Sequence, residues 1–127
     1  MSRSERGAAA VEFALVVPLL VLLIAGIAEF GRAYYLQTTV SASAREGVRS
    51  LALKNPAANV RAAARDAASP LTLTDTQIAL VTCPATTGTT TPPPNAKVTV
   101  TYTTPFMTGF FGASVTLTGR GVMRCGG

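Results

Sequence analysis

The 127-residue chain contains no histidine and no tryptophan, and it has only two cysteines. Without histidine it cannot build a Ser-His-Asp or Cys-His catalytic site, a His-ligated zinc site or the usual non-haem iron site. Two cysteines cannot supply the four thiolates of a structural zinc or iron–sulfur site. The sequence also offers no other convincing catalytic constellation. It therefore predicts a protein that is not an enzyme and that has no metal, no cofactor and no small-molecule substrate.

Charged residues are also few. Charged residues make up 13% of the chain, against about 25% in ordinary soluble domains. Such a deficit is typical of proteins that lie in a bilayer or in a multi-subunit assembly. The net charge of +5 comes from 11 basic and 6 acidic residues. The basic residues are spread among acidic ones without interleaved aromatic residues, so the sequence does not predict binding of nucleic acid.

The chain does have one long apolar run. Residues 8–28 contain a single charged residue, Glu12, and a helix of about 20 apolar residues spans the hydrocarbon core of a bilayer. Arg3 and Arg6 precede the run, so the positive-inside rule places the N-terminus in the cytoplasm and the rest of the chain outside. Pro18 removes one backbone donor and is expected to bend the helix without ending it.

The predicted helix continues beyond the membrane. Apolar residues recur every three or four positions from Ala33 to Leu51, which indicates one apolar helix face. Asn55-Pro56 is the first strong stop, because the residue before proline is driven out of helical geometry. We therefore expect one helix from about Ala8 to Lys54 and a second, short helix over residues 56–68.

The composition changes sharply in the C-terminal half. Of the 18 threonines, 16 lie between Thr72 and the C-terminus. β-Branched residues favour strands, and alternation predicts strands over residues 77–83, 97–103 and 115–125, with a proline-rich loop over 84–95. A sheet this small is stable only when another element, such as a helix, packs against one of its faces. The predicted fold class is α+β, with a long N-terminal helix whose outer half packs on a small antiparallel sheet.

Several N-terminal motifs are similar to those of the TadE-like family, the pseudopilins or minor pilins of tight-adherence (Flp-type) pilus systems. A short hydrophilic leader ends in Gly7, and Glu12 follows at the fifth position after it. The matching stretches are Arg6-Gly7-Ala8-Ala9-Ala10-Val11-Glu12-Phe13-Ala14-Leu15, Pro18-Leu19-Leu20, Glu29-Phe30-Gly31-Arg32 and Ala44-Arg45-Glu46-Gly47-Val48-Arg49.

The resemblance implies a pilin-like fold in the bacterial inner membrane, with the C-terminal domain in the periplasm or carried into a surface pilus. It divides the chain into a leader (1–7), a transmembrane segment (8–28), the continuation of the helix (29–54) and a small α+β domain (55–127). The implied partners are the membrane, a prepilin peptidase and other pilin or pseudopilin subunits. The alternative is a single-pass anchored extracytoplasmic binding module without a role in a filament.

The resemblance implies cleavage between Gly7 and Ala8. Two alternatives remain open, namely an uncleaved signal anchor and cleavage by a secretory signal peptidase after Ala28. Glu12 is a functional candidate because a carboxylate inside hydrocarbon is costly. In pilin-like assemblies the corresponding glutamate is thought to pair with the α-amine of a neighbouring subunit. The alternative is a carboxylate near the cytoplasmic interface that water or lipid headgroups satisfy.

Cys83 and Cys125 predict a disulfide, because an even number of cysteines outside the cytoplasm is typical of a bridge. Two free thiols or a redox-active pair are the alternatives, although the spacing differs from Cys-x-x-Cys. Phe106, Phe110 and Phe111 lie in the connection over residues 105–112. They either pack into the core or form an apolar tip that contacts a partner subunit or the membrane surface.

Two ion pairs are expected on the helix surface. Glu29 with Arg32, and Glu46 with Arg49, are three residues apart and therefore neighbours on one helix face. Such pairs contribute about 0.2–0.5 kcal/mol each. Because they lie in the stretches that resemble the family, Glu29 and Arg32 are also candidates for contact with a partner subunit.

Overall fold

The computed structural model describes residues 2–84, 94–107, 109 and 112–125. Two helices precede three strands: α1 (Arg3–Ala52), α2 (Ala57–Ala68), β1 (Ile78–Val81), β2 (Asn95–Pro105) and β3 (Ser114–Arg124). The strands form one antiparallel sheet in the order β1-β2-β3. The α+β prediction, with one long N-terminal helix and a small antiparallel sheet, is confirmed.

Helix α1 begins earlier than predicted. It starts at Arg3 instead of about Ala8, because Ser2 and Glu5 form a capping box. The Ser2 hydroxyl accepts from the Glu5 backbone N–H (3.4 Å), and the Ser2 N–H donates to the Glu5 carboxylate (2.9 Å). These bonds satisfy backbone groups that a helix end otherwise leaves unpaired. The helix runs through Pro18 without a break, and its 50 residues extend about 75 Å.

The sheet also departs from the predicted boundaries. Strand β1 (Ile78–Val81) is shorter at both ends than the predicted 77–83. Gln77 belongs instead to a 3-10 turn over residues 75–77, in which the Thr74 N–H donates to the Gln77 side chain (2.8 Å). Strand β2 starts at Asn95, which we expected in the loop, and it pairs there with Arg124. Residues 85–93 of the predicted loop lie outside the described part of the chain.

The outer half of α1 covers the sheet as expected. Its stripe of Leu36, Val40, Ala44, Val48 and Leu51 is buried. Most of the remaining core residues come from α2 and the strands and include Val60, Ala64, Ala68, Ile78, Val98 and Val100. At the centre of β3 the alternating residues Leu117, Gly119 and Gly121 are buried.

Strand β3 lies directly against the backbone of α1. A Cβ atom placed on Gly119 would lie 2.5 Å from the carbonyl oxygen of Val40, and one on Gly121 would lie 2.5 Å from that of Ala44. Real Cβ atoms essentially never approach backbone atoms so closely. The two glycines therefore set how near the helix comes to the sheet.

Candidate functional site

The first half of α1 carries an apolar surface that no other described residue covers. Among the described residues, α1 is the one helix long and apolar enough to cross a membrane, and no residue of its most apolar 18-residue window is buried. The exposed side chains include Phe13, Leu15, Leu19, Leu20, Leu22, Leu23, Ile24 and Ile27. A contiguous apolar surface of this size marks a membrane or protein contact.

The predicted processing and assembly residues lie on this half of α1. Gly7 is inside the helix, and there is open space around the position of a Cβ. Ala8 and Glu12 are both exposed and four residues apart. Residues at this spacing lie on the same helix face, one turn apart. The only carboxylate of the apolar segment is therefore one turn beyond the bond that the family resemblance marks for cleavage.

Arg32 connects α1 to the end of β2. One terminal guanidinium nitrogen donates to the Thr104 hydroxyl (2.8 Å) and the other to the Pro105 carbonyl (3.2 Å). Thr104 is buried, so the charged donor satisfies a hydroxyl that water does not reach. The sequence predicted a local partner, Glu29, and a subunit contact for Arg32. It did not predict this contact, which joins residues 72 and 73 positions apart.

The connection between β2 and β3 is described in part. The Phe106 N–H donates to the Ala113 carbonyl (3.2 Å), which closes the hairpin beyond the last strand pair. Phe106 is half-buried, whereas 67% of the Met107 surface is exposed. Phe110 and Phe111, the other candidates for a partner contact, lie outside the described residues.

The predicted disulfide is present. It joins Cys83 and Cys125, whose Cα atoms are 5.7 Å apart. Cys83 follows β1 and Cys125 follows β3, so the bridge ties the two outer strands together across the end of β2. Both half-buried cysteines pack against the hydrophobic core. The Cys125 N–H also donates to the Pro94 carbonyl just before β2 (2.9 Å).

An open groove lies between the outer half of α1 and strand β3. Its charged lining consists of Arg45, Glu46, Arg49 and Arg120, and its apolar lining includes Met123. The predicted pair of Glu46 and Arg49 is confirmed at 3.9 Å between side-chain atoms. Both side chains are exposed, so the pair contributes little to stability. Within the described ranges, no cluster of three or more potential metal ligands comes together.

The comparisons with known proteins agree with the N-terminal motifs. A family model described as TadE-like protein matches residues 7–49, about a third of the chain. The match begins at Gly7, extends over the whole apolar segment and ends at Arg49. It confirms that this part of the chain resembles the TadE-like family. Searches of curated proteins and of solved structures gave no match.

Proposed function

We propose that the protein is an inner-membrane pseudopilin or minor pilin that acts in the assembly of a tight-adherence pilus or a related secretion apparatus. One observation carries this proposal. The second half of α1 is the core helix of a folded domain, whereas residues 8–28 form an apolar helical segment that no other described residue covers and that carries a single carboxylate, Glu12. One rigid element thus joins a domain to a surface that can lie in lipid or against neighbouring helices.

The leader is proposed to be residues 1–7, removed by a prepilin peptidase after Gly7. Residues 8–28 would then span the membrane, 29–54 would continue the helix outside, and 55–127 would complete the periplasmic domain. Cleavage removes Ser2 and Glu5, and with them the capping box at the helix start. The new N-terminus at Ala8 places a free ammonium at the positive end of the helix dipole, where a cation is unfavourable.

Glu12 is the group proposed to compensate that ammonium. It lies one turn from Ala8 on the same chain, and in an array of parallel subunits it can reach the amine of a neighbour that is displaced along the axis. Such pairing inside hydrocarbon would fix the axial position of each subunit. Removal of one partner from a buried ion pair costs about 3–5 kcal/mol, because the other charge is left uncompensated.

The alternative function is a single-pass anchored binding module that stays in the membrane. The groove lined by Arg45, Arg49 and Arg120 would be its binding surface. In that case the N-terminal residues are retained and Glu12 is incidental. The two functions can therefore be distinguished by whether the N-terminal residues are removed and by whether replacing Glu12 impairs assembly.

The test begins with intact-mass analysis of the membrane-extracted protein, which we expect to start at Ala8. A Glu12→Leu chain should be inserted, cleaved and present at normal abundance, but it should not co-purify with the other pilus components. Glu12→Asp should be intermediate, because the charge stays on a shorter arm. The matched control is Glu5→Gln, which removes a carboxylate from the leader and leaves the mature chain unchanged.

Normal co-purification of Glu12→Leu would contradict the assembly role of this residue. A mature chain that starts at Glu29 would contradict the proposed processing and the membrane anchor together. An uncleaved chain that never leaves the membrane would favour the anchored binding module.

A further inference from the structure

Three contacts show how the sheet is aligned along α1. Gly121 lies against the carbonyl of Ala44. Nearer the membrane segment, the Gln37 side chain donates to the Thr118 carbonyl (3.0 Å). Nearer still, Arg32 donates to the carbonyl of Pro105, which is paired with Ser114 at the start of β3. The strands therefore descend along the helix, and the β2–β3 hairpin points towards the apolar segment.

The same contacts give the height of the hairpin above the apolar segment. Arg32 is four residues beyond Ala28, which corresponds to about 6 Å along the helix axis. The headgroup layer adds roughly 5–8 Å to each side of the hydrocarbon core. The last strand pair, Pro105 with Ser114, is thus level with the headgroups. Residues 106 and 107 continue from it in the direction of the hydrocarbon.

The side chains at this height are those that favour a membrane interface. Met107 and Phe106 lie on the hairpin, with Met107 largely exposed. On α1, Phe30 is 76% exposed, and Tyr34 and Tyr35 are also exposed. Aromatic side chains are enriched at the boundary between hydrocarbon and water, where their amphipathic rings sit at the level of the headgroups. The aromatic content of the chain is only 6%, so their collection at one level needs an explanation.

We propose that the start of the β2–β3 connection, at Phe106 and Met107, lies in the headgroup layer of the bilayer. Together with Phe30, Tyr34 and Tyr35 it forms an interfacial belt that holds the domain at a defined height and orientation on the lipid surface. The Arg32 contacts fix the hairpin to the helix at this level. This proposal rests on the proposed insertion of α1 into the membrane.

A lipid surface accounts for the position of these residues better than a protein partner does. A partner subunit could cover an apolar tip at any height along the domain. A bilayer requires apolar and aromatic groups at one height, just beyond the spanning segment, and the hairpin and α1 both place them there. Docking of a second copy of the chain is an alternative outcome of the test.

The absence of tryptophan makes the test direct, because a single introduced tryptophan is the only indole fluorophore. The Met107→Trp chain would be reconstituted in vesicles of phosphatidylcholine and phosphatidylglycerol whose acyl chains carry bromine, a contact quencher. The matched control is Val122→Trp, on the exposed far part of β3. It lies eight residues from Ser114, about 26 Å along the strand. Leu20→Trp, inside the apolar segment, reports insertion of α1.

We expect Met107→Trp to be quenched at least about twofold more strongly than Val122→Trp, and to emit at shorter wavelength than the control, as for a group at the interface. Equal quenching of the two chains would overturn the proposal. So would a blue shift of Met107→Trp that appears only at high protein-to-lipid ratio without quenching, which indicates a second copy. Quenching of Leu20→Trp alone would leave the proposed anchor intact and refute the hairpin contact. Loss of all quenching would refute the anchor itself.

Discussion

Replacement of Gly121 by alanine tests how the helix and the sheet fit together. The added Cβ would lie 2.5 Å from the Ala44 carbonyl oxygen and 2.8 Å from a methyl carbon of Val48. Ordinary van der Waals contact starts at 3.4 Å, so the strand and the helix must move apart by about 0.9 Å there. A carbonyl in the middle of a helix cannot turn aside alone, and the displacement is therefore shared by the core residues on both sides.

The magnitude follows from two opposing effects. Overpacking in a well-packed core costs typically about 1–3 kcal/mol. Alanine also restricts the unfolded chain, which favours folding by roughly 0.5–1 kcal/mol relative to glycine. Because the closest atom belongs to the backbone, we expect the clash to dominate and the free energy of unfolding to fall by about 1–3 kcal/mol. For a domain of about 100 residues this lowers Tm by roughly 5–20 °C.

Differential scanning calorimetry of the full chain in detergent measures the change. Two other Gly→Ala substitutions provide a graded comparison. At Gly47 the nearest atom is a Val98 methyl carbon at 3.1 Å, and at Gly31 nothing lies within 4 Å. Since alanine also improves helix propensity, we expect a small change for Gly47→Ala and none or a slight gain for Gly31→Ala. A Tm for Gly121→Ala equal to that of the native chain would refute the inferred closeness of β3 and α1.

The remaining predictions concern the disulfide and one buried hydroxyl. Cys83→Ser removes the disulfide between residues 42 positions apart, for which the chain-entropy model gives about 4 kcal/mol. Urea unfolding without reductant should therefore show a much lower midpoint for Cys83→Ser than for the native chain. The double variant Cys83→Ser/Cys125→Ser should unfold at nearly the same midpoint as Cys83→Ser. An unchanged midpoint for Cys83→Ser would contradict a stabilising bridge. Ser43 is fully buried and donates to the Ala64 carbonyl (2.7 Å) between α1 and α2, so Ser43→Ala should cost about 1 kcal/mol. Calorimetry should show this as a Tm lower by about 4–8 °C.

Local sequence patterns determined the elements and the faces they bury. The recurrence from Leu36 to Leu51 predicted the buried helix stripe, because side chains three and four residues apart share a face whatever the rest of the chain does. The alternation over residues 97–103 predicted strand β2, because successive side chains of a strand point to opposite faces. Two cysteines allow only one intramolecular pair, so the disulfide was predictable as well. Even the early start of α1 had a local signal, since Ser2 and Glu5 have the spacing of a capping box.

The candidate assembly site is also local, and for that reason most of it could be proposed from the sequence. Gly7, Ala8 and Glu12 lie within two turns of one helix, and their roles remain predictions.

The contacts that orient the domain are not local. Arg32 meets Thr104 and Pro105, Gln37 meets Thr118, and two glycines of β3 admit the backbone of α1. Each joins residues more than 70 positions apart, and no periodicity in either segment specifies which turn of the helix faces which strand residue. That choice depends on how closely two backbones can approach, so it was decided only when the helix and the sheet packed together.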